Sequence, residues 1–296
     1  MSENGRGRYA PSPTGRLHLG NLRTALLAWL GARSRGAEFL VRVEDLDRGR
    51  SRQHFIEEQL EELRLLGLDW DGEPVLQSQR DGLYEDAVSR LGRDGLIYEC
   101  FCTRAEIREA SSAPHGDLPG DAYPGTCAHL TESEIAEKRA AGRPPALRVR
   151  AGMAEVGFED GLRGNVTGTV DDFVVRRNDG DFAYNLAVVV DDADQAIGEV
   201  VRGADLLDST PRQLWLFERL GLKPPERYVH VPLMLGDDGA RLAKRHGAVT
   251  LEERLEAGEP VDRLVGEMAA SVDLVPPGTA ATPGELVEVF DWNLVG

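Results

Sequence analysis

His18-Leu19-Gly20-Asn21, preceded by Tyr9-Ala10-Pro11-Ser12-Pro13-Thr14-Gly15-Arg16-Leu17, sets an imidazole, two glycines and several hydroxyls where an extended segment enters an apolar run. Leu22, Ala25, Leu26, Trp29 and Leu30 then recur three and four residues apart, which predicts a helix over about Asn21–Ser34. A short strand, a proline-punctuated turn and a helix N-terminus make an anion site, because unpaired N–H groups and the positive end of the helix dipole face the ligand. Gly20 leaves room for a flat ring to approach the backbone, which a Cβ would block. His18 can donate to a phosphate oxygen. The plain alternative is a tight turn capping a core helix with His18 on the surface; the flanking Pro-Ser-Pro-Thr-Gly favours the nucleotide reading.

A second chemical signal is Arg241-Leu242-Ala243-Lys244-Arg245-His246-Gly247, after the turn Gly236-Asp237-Asp238-Gly239. A basic loop of this kind can close a lysine onto phosphates and neutralise charge as phosphorus is attacked. Alone it reads as solvated surface; paired with the first motif it reads as the other half of a nucleotide site. The third signal is thiol chemistry. All three cysteines fall between Cys100 and Cys127, and an odd number cannot pair fully within the chain. Cys100-Phe101-Cys102 and Tyr123-Pro124-Gly125-Thr126-Cys127 offer three thiolates and a phenol to a tetrahedral structural zinc ion, with His115 and His129 as alternative fourth ligands. Buried apolar cysteines are the simpler reading.

The elements that must position these groups alternate. An extended start at Arg8–Ala10 leads into the first helix, a strand follows at Glu38–Glu44, and two amphipathic helices cover about Gln53–Leu66 and Asp81–Gly92. That order predicts an α/β fold on a parallel sheet. From Leu96 to Pro145 the texture changes to short segments with capping boxes at Thr103–Glu106 and Thr131–Glu134 around a Ser-, Pro- and Gly-rich loop, which predicts an inserted subdomain. Strands are expected at Ala146–Arg150, Gly168–Arg177 and Phe182–Val190, the last two joined by the hairpin turn Asn178-Asp179-Gly180. A helix at Thr210–Gly221, a strand at Tyr228–Leu235 and helices near Leu251–Gly258, Val261–Ser271 and Pro283–Phe290 complete the chain. The expected organisation is residues 1–95 and 146–247 as two halves of a catalytic domain, 96–145 as the insertion and 248–296 as a short helical C-terminal region.

Composition narrows the classes. At 296 residues the chain can bury a sizeable core, and no apolar run approaches the ~20 residues of a membrane span. The start Met1-Ser2-Glu3-Asn4-Gly5-Arg6 lacks the apolar stretch of a secretion signal, so a cytoplasmic, membrane-free protein is expected. A net charge of −17 argues against a general nucleic-acid binder but leaves room for a specific RNA partner held by local arginines such as Arg6, Arg16 and Arg23.

Pro-Ser-Pro-Thr-Gly-x-Leu-His-Leu-Gly-Asn at one end and Arg-Leu-Ala-Lys-Arg at the other resemble the two signature motifs of class I aminoacyl-tRNA synthetases. Arg8–Ser12, Val43-Glu44-Asp45-Leu46-Asp47, Ala183-Tyr184-Asn185-Leu186-Ala187 and the stretch from Ile197 to Leu207 narrow the resemblance to the glutamyl branch. The resemblance implies a Rossmann-like nucleotide-binding sheet, an inserted zinc subdomain, and formation of glutamyl-adenylate from L-glutamate and ATP with Mg2+. By the same resemblance Arg8 and Arg202 hold the carboxylates of glutamate, Glu44 its ammonium, and Ser12 and Tyr184 supply hydroxyls. His18, Gly20, Asn21 and Lys244 hold ATP, with His18, Gly20 and Lys244 at the reaction. Planar bidentate pairing suits arginine to the first task. The late motif departs from Lys-Met-Ser-Lys-Ser: Arg241 keeps a charge, Ala243 loses a hydroxyl, Arg245 replaces the last serine, and Lys244 is retained.

Cys-x-Cys with a later Tyr-x-x-x-Cys resembles the zinc module of the short relatives that transfer glutamate to the queuosine base of tRNA(Asp). Only 52 residues follow Lys244, too few for the helical set that reads an anticodon in full-length glutamyl-tRNA synthetases. The expectation is therefore a monomer acting on queuosine-containing tRNA(Asp). The rivals are a catalytic fragment charging tRNA(Glu), a small-molecule adenylyltransferase, and a non-catalytic paralogue.

Overall fold

Strand by strand, the chain builds its sheet around one short segment near the N-terminus. The computed structural model describes residues 5–103, 105–107, 122–236 and 250–296. Its strands are β1 (Arg6–Tyr9), β2 (Phe39–Val43), β3 (Val75–Leu76), β4 (Ile97–Cys100), β5 (Ala146–Val149), β6 (Ala154–Asp160), β7 (Gly164–Val170), β8 (Val174–Arg176), β9 (Ile197–Gly203) and β10 (Arg227–Val231). Seven of them form one sheet in the order β3-β2-β1-β9-β10-β6-β7, and β4-β5-β8 form a second, antiparallel sheet. Every neighbouring pair in the large sheet is parallel except the β6–β7 hairpin at its edge. This is the parallel α/β architecture expected from the alternation of strand and helix.

The first helix runs Leu19–Arg33, and its expected apolar stripe of Leu22, Ala25, Leu26, Trp29 and Leu30 is buried. So are Leu27, Ala28, Gly31 and Ala32, because the helix lies between the sheet and the helices Val261–Ala270 and Pro283–Val289. A helix covered on both sides loses its polar face. Gly31 marks the closest approach: a Cβ there would sit 2.9 Å from the Trp292 ring and 2.5 Å from a Glu199 carboxylate oxygen.

Two expectations are corrected. Phe182–Val190 does not form a strand; Tyr184–Asp194 is a helix in which Leu186 through Asp192 are all buried. The Val188-Val189-Val190 run favours a strand by propensity, but burial on every side lets packing override it. The turn itself forms: Arg177 N–H donates to Asp181 O at 2.8 Å and a single bridge joins Arg176 to Phe182. The expected Gly168–Arg177 strand divides into the end of β7 and β8 around Asp171-Asp172-Phe173. There Asp171 accepts the Tyr123 N–H and Asp172 accepts those of Ala151 and Gly152, so the carboxylates take up backbone donors from outside the ladder. Strand β6, whose partly covered positions alternate with exposed ones, was not expected from the sequence.

A buried ionic cluster ties the sheet to the helix Tyr184–Asp194. Arg42 on β2 has no exposed surface; it donates to Asp192 at 2.7 Å and to Gln195 at 2.8 Å. Asp191 accepts from Gln77, Arg80 and Tyr84. No helix among the described residues is long and apolar enough to cross a membrane.

Candidate active site and metal centre

At the C-terminal ends of β1, β2 and β9 a cavity of about 520 Å³ opens between the Pro-Ser-Pro turn and the first helix. Open parallel sheets bind ligands at this end of their strands. Arg8, Ser12, His18, Gly20, Asn21, Glu44, Tyr184 and Arg202 all line it, so the structure brings together every expected substrate and nucleotide residue that it describes. Lys244, with Arg241, Ala243, Arg245 and His246, lies outside the described residues, as does His115.

His18 is the N-cap of the first helix. Its Nδ1 accepts the Asn21 N–H at 3.2 Å, and Asn21 Oδ1 accepts the His18 N–H at 3.3 Å. With Nδ1 accepting, the proton of a neutral ring sits on Nε2 and can be donated. Gly20 is also a tight position for a reason other than space for a ligand: a Cβ there would lie 3.1 Å from the His18 ring and 3.2 Å from Met234.

The two arginines differ in charge balance. Arg8, buried on β1, pairs with Asp192 at 3.2 Å, a carboxylate it shares with Arg42. Burial pushes Asp192 up, but Arg8 and Arg42 hold it below the ordinary carboxylate range. Arg202, only 5% exposed on β9, donates to neutral acceptors alone. Its Nε reaches His230 Nε2 at 3.0 Å, its Nη1 reaches Gln213 Oε1 at 2.9 Å and the Tyr184 hydroxyl at 3.3 Å, and its Nη2 reaches Thr210 at 2.7 Å. Among the described residues, none of the ion pairs involves Arg202, so a buried cation lines the cavity without a carboxylate bonded to it. Such a charge favours an anionic ligand strongly.

Glu44 follows β2 and keeps about a tenth of its side chain exposed. Burial raises its pKa to about 7, against the pull of Arg42 and Arg8. With Asp205 it is one of two acidic residues among those lining the cavity, and it is suited to a ligand ammonium. Sequence reasoning missed Arg42, Asp160, Asp192, Thr210, Gln213 and His230, which set these charges in place. The available signal was a charged or imidazole residue inside an otherwise apolar strand: Phe39-Leu-Val-Arg42-Val and Tyr228-Val-His230-Val.

The three cysteines meet beside β4. The thiol sulfurs of Cys100, Cys102 and Cys127 lie within 4.8 Å of one another, with Cys102 and Cys127 3.5 Å apart, and all three are unpaired thiols. The Tyr123 hydroxyl stands 3.4 Å from Cys100 Sγ and 3.6 Å from Cys102 Sγ, and it accepts the Cys127 N–H at 2.9 Å. Tetrahedral zinc with Zn–S bonds of ~2.3 Å needs sulfurs ~3.8 Å apart, so the cluster fits an ion with little movement. His129 is not among the grouped donors. Burial pushes the Cys102 thiol up to about 12, the state of a neutral thiol that a bound cation would ionise.

Residues 5–265 match the family described as tRNA synthetases class I (E and Q), catalytic domain. A relative from Nocardia farcinica, named Glutamyl-Q tRNA(Asp) synthetase, is 56% identical over 97% of this chain and 89% of its own length. The chain belongs to this class I synthetase family, in its glutamyl-Q tRNA(Asp) branch. A second member with that name, from Symbiobacterium thermophilum, is 49% identical over 96% of this chain and 92% of its own. The solved glutamate tRNA ligase of Elizabethkingia meningosepticum, in complex with its amino acid, superposes with a TM-score of 0.84 at 27% identity, covering 99% of this chain and 66% of that one. The class I synthetase fold therefore accounts for the parallel sheet and for the cavity at its strand ends.

Proposed function

We propose that this protein is a ligase that activates L-glutamate with ATP and Mg2+ and transfers the glutamyl group to the queuosine base at the wobble position of tRNA(Asp). The observation that carries the first step is the buried guanidinium of Arg202, in no ion pair among the described residues, facing the same cavity as Glu44 and His18. Arg202 and Arg8 hold the carboxylates of glutamate, Glu44 its ammonium, and Ser12 and Tyr184 hydrogen-bond within the pocket. His18, Gly20, Asn21 and Lys244 hold the nucleotide. An oxygen of the glutamate α-carboxylate then attacks the α-phosphorus, the bond to the β-phosphate oxygen breaks, and pyrophosphate leaves. Positioning and charge stabilisation suffice for that displacement, so no side-chain nucleophile is needed. A hydroxyl of the queuosine base next attacks the activated carbonyl and AMP leaves. The second step rests on the relatives that carry the Glutamyl-Q tRNA(Asp) name.

Cys100, Cys102, Cys127 and Tyr123 would hold one structural zinc ion, which organises the insertion at 96–145 between the two catalytic halves, 1–95 and 146–247, with 248–296 as the C-terminal region. The protein would act as a cytoplasmic monomer. Radiolabelled glutamate with ATP tests the whole reading. Label should enter tRNA(Asp) that contains queuosine, and enter neither tRNA(Asp) lacking queuosine nor tRNA(Glu). Charging of tRNA(Glu) would overturn the acceptor, and absence of glutamate-dependent ATP–pyrophosphate exchange would overturn the activation step.

A further inference from the structure

Asp160, His230 and Arg202 form a row running across three adjacent strands toward the cavity. Asp160 ends β6, His230 lies on β10, and Arg202 sits directly beside His230 in the register of β9. Asp160 Oδ2 is 2.6 Å from His230 Nδ1, and His230 Nε2 is 3.0 Å from Arg202 Nε. All three side chains are buried, His230 completely.

The chemistry of this row has one solution. An arginine Nε can only donate, so His230 Nε2 must accept. The Thr210 hydroxyl points the same way: it accepts from Arg202 Nη2 at 2.7 Å, which leaves its proton for His230 Nε2 at 3.2 Å. The ring proton must therefore sit on Nδ1 and be donated to Asp160. Asp160 is fixed in turn, because its Oδ1 accepts the N–H groups of Leu162 and Arg163 at 3.0 Å. Burial first, then the nearby guanidinium of Arg202, lower the His230 pKa although Asp160 pulls upward, so the ring stays neutral. A guanidinium has one Nε edge and one Nη edge; His230 holds the Nε edge while Gln213 and Thr210 hold the Nη groups, and together they set the plane of the group that faces the cavity.

We propose that His230, held in its Nδ1–H tautomer by Asp160, is a positioning residue for Arg202 and so sets affinity for the amino-acid substrate. This rests on the glutamate-activating reading above. Asp160 never touches substrate; it acts through the tautomer it imposes.

Three variants test it by glutamate-dependent ATP–pyrophosphate exchange. His230→Leu removes the acceptor, and the KM for glutamate should rise at least tenfold while the KM for ATP stays within twofold. His230→Gln restores an acceptor toward Arg202 and should recover most of that loss. Asp160→Asn is nearly isosteric, but its amide donates to Nδ1, moves the ring proton to Nε2 and points a donor at Arg202. It should therefore match His230→Leu in glutamate KM. A direct readout is the imidazole 15N spectrum, in which the signals that His230→Gln removes should show a protonated Nδ1 and a bare Nε2. If wild type supports no exchange, the functional reading fails. If wild type is active but Asp160→Asn leaves the glutamate KM unchanged, or the His230 signals show the Nε2–H tautomer, the positioning role is wrong. Should His230→Leu fold poorly, Asp160→Asn and the wild-type spectrum still decide.

Discussion

Replacing Glu44 with glutamine should strengthen the fold while it weakens the substrate site. Glu44 is nearly covered, and burial raises its pKa from the ordinary 4.5 to about 7. The ionised form is thus disfavoured in the folded protein. Below pH 4.5 the carboxyl is protonated in both states and costs nothing; the penalty grows as pH rises from 4.5 and is complete above 7. At 1.36 kcal/mol per pH unit the full penalty is ~3 kcal/mol, which glutamine escapes because it carries no charge. For a chain of 296 residues the unfolding entropy is roughly 0.6 kcal/mol per kelvin, so Glu44→Gln should raise Tm by about 5 °C at pH 8. The gain should shrink at pH 6 and vanish near pH 4.5, which differential scanning calorimetry across that range reads directly. Activity should move oppositely. Losing a charged partner for the substrate ammonium costs ~3 kcal/mol, or about 100-fold in kcat/KM for glutamate. In wild type the same parameter should fall about tenfold per unit as pH drops below 7. A Tm at pH 8 equal to or below wild type would refute the reasoning, because Glu44 would then carry no unfavourable charge.

Gly20→Ala brings a methyl group to 3.1 Å from the His18 ring and 3.2 Å from Met234, so the imidazole must shift by a few tenths of an ångström against its cap on Asn21. The strained cap should cost up to ~1 kcal/mol, and the KM for ATP should rise several-fold with the glutamate KM little changed; an unaltered ATP KM would show that His18 does not set the nucleotide. Cys102→Ser removes one of three clustered thiols. Metal analysis of the purified protein should fall from one zinc per chain to a small fraction, and chelator treatment should lower the Tm of wild type but not of the variant. Equal zinc in both proteins would place the ion elsewhere.

The parts of the fold legible in the sequence were those with local patterns. The helix Leu19–Arg33 announces itself by apolar spacing, and the helix starting at Glu132 by the capping box of Thr131. The helix Tyr184–Asp194 did not, because burial on all sides erases the period that separates helix from strand, and three consecutive valines then favour the wrong answer. Strand β6 was hidden because one of its faces is open to solvent, and that face admits Glu155, Gly157 and Glu159. The substrate cavity was legible because its residues carry a family's motifs. Its supporting charges were not. Asp160 lies 70 residues from His230, and Arg42 lies 150 from Asp192, and no one-dimensional pattern links residues that meet only across a sheet.

That last separation has a consequence for how the chain comes to be folded at all. Strand β1 pairs with β2 on one side and β9 on the other, and fully buried Arg42 waits for Asp192. At about 5–20 residues per second, synthesis of those 150 intervening residues takes on the order of 10–30 s. Throughout that interval the nascent N-terminal half has β1 without its β9 partner, and Arg42 without Asp191 and Asp192, leaving Glu44 as its one early carboxylate partner among the described residues. The substrate cavity stays incomplete during that time, since Tyr184 and Arg202 on its far wall are still to come. This sheet closes late, around its oldest strand.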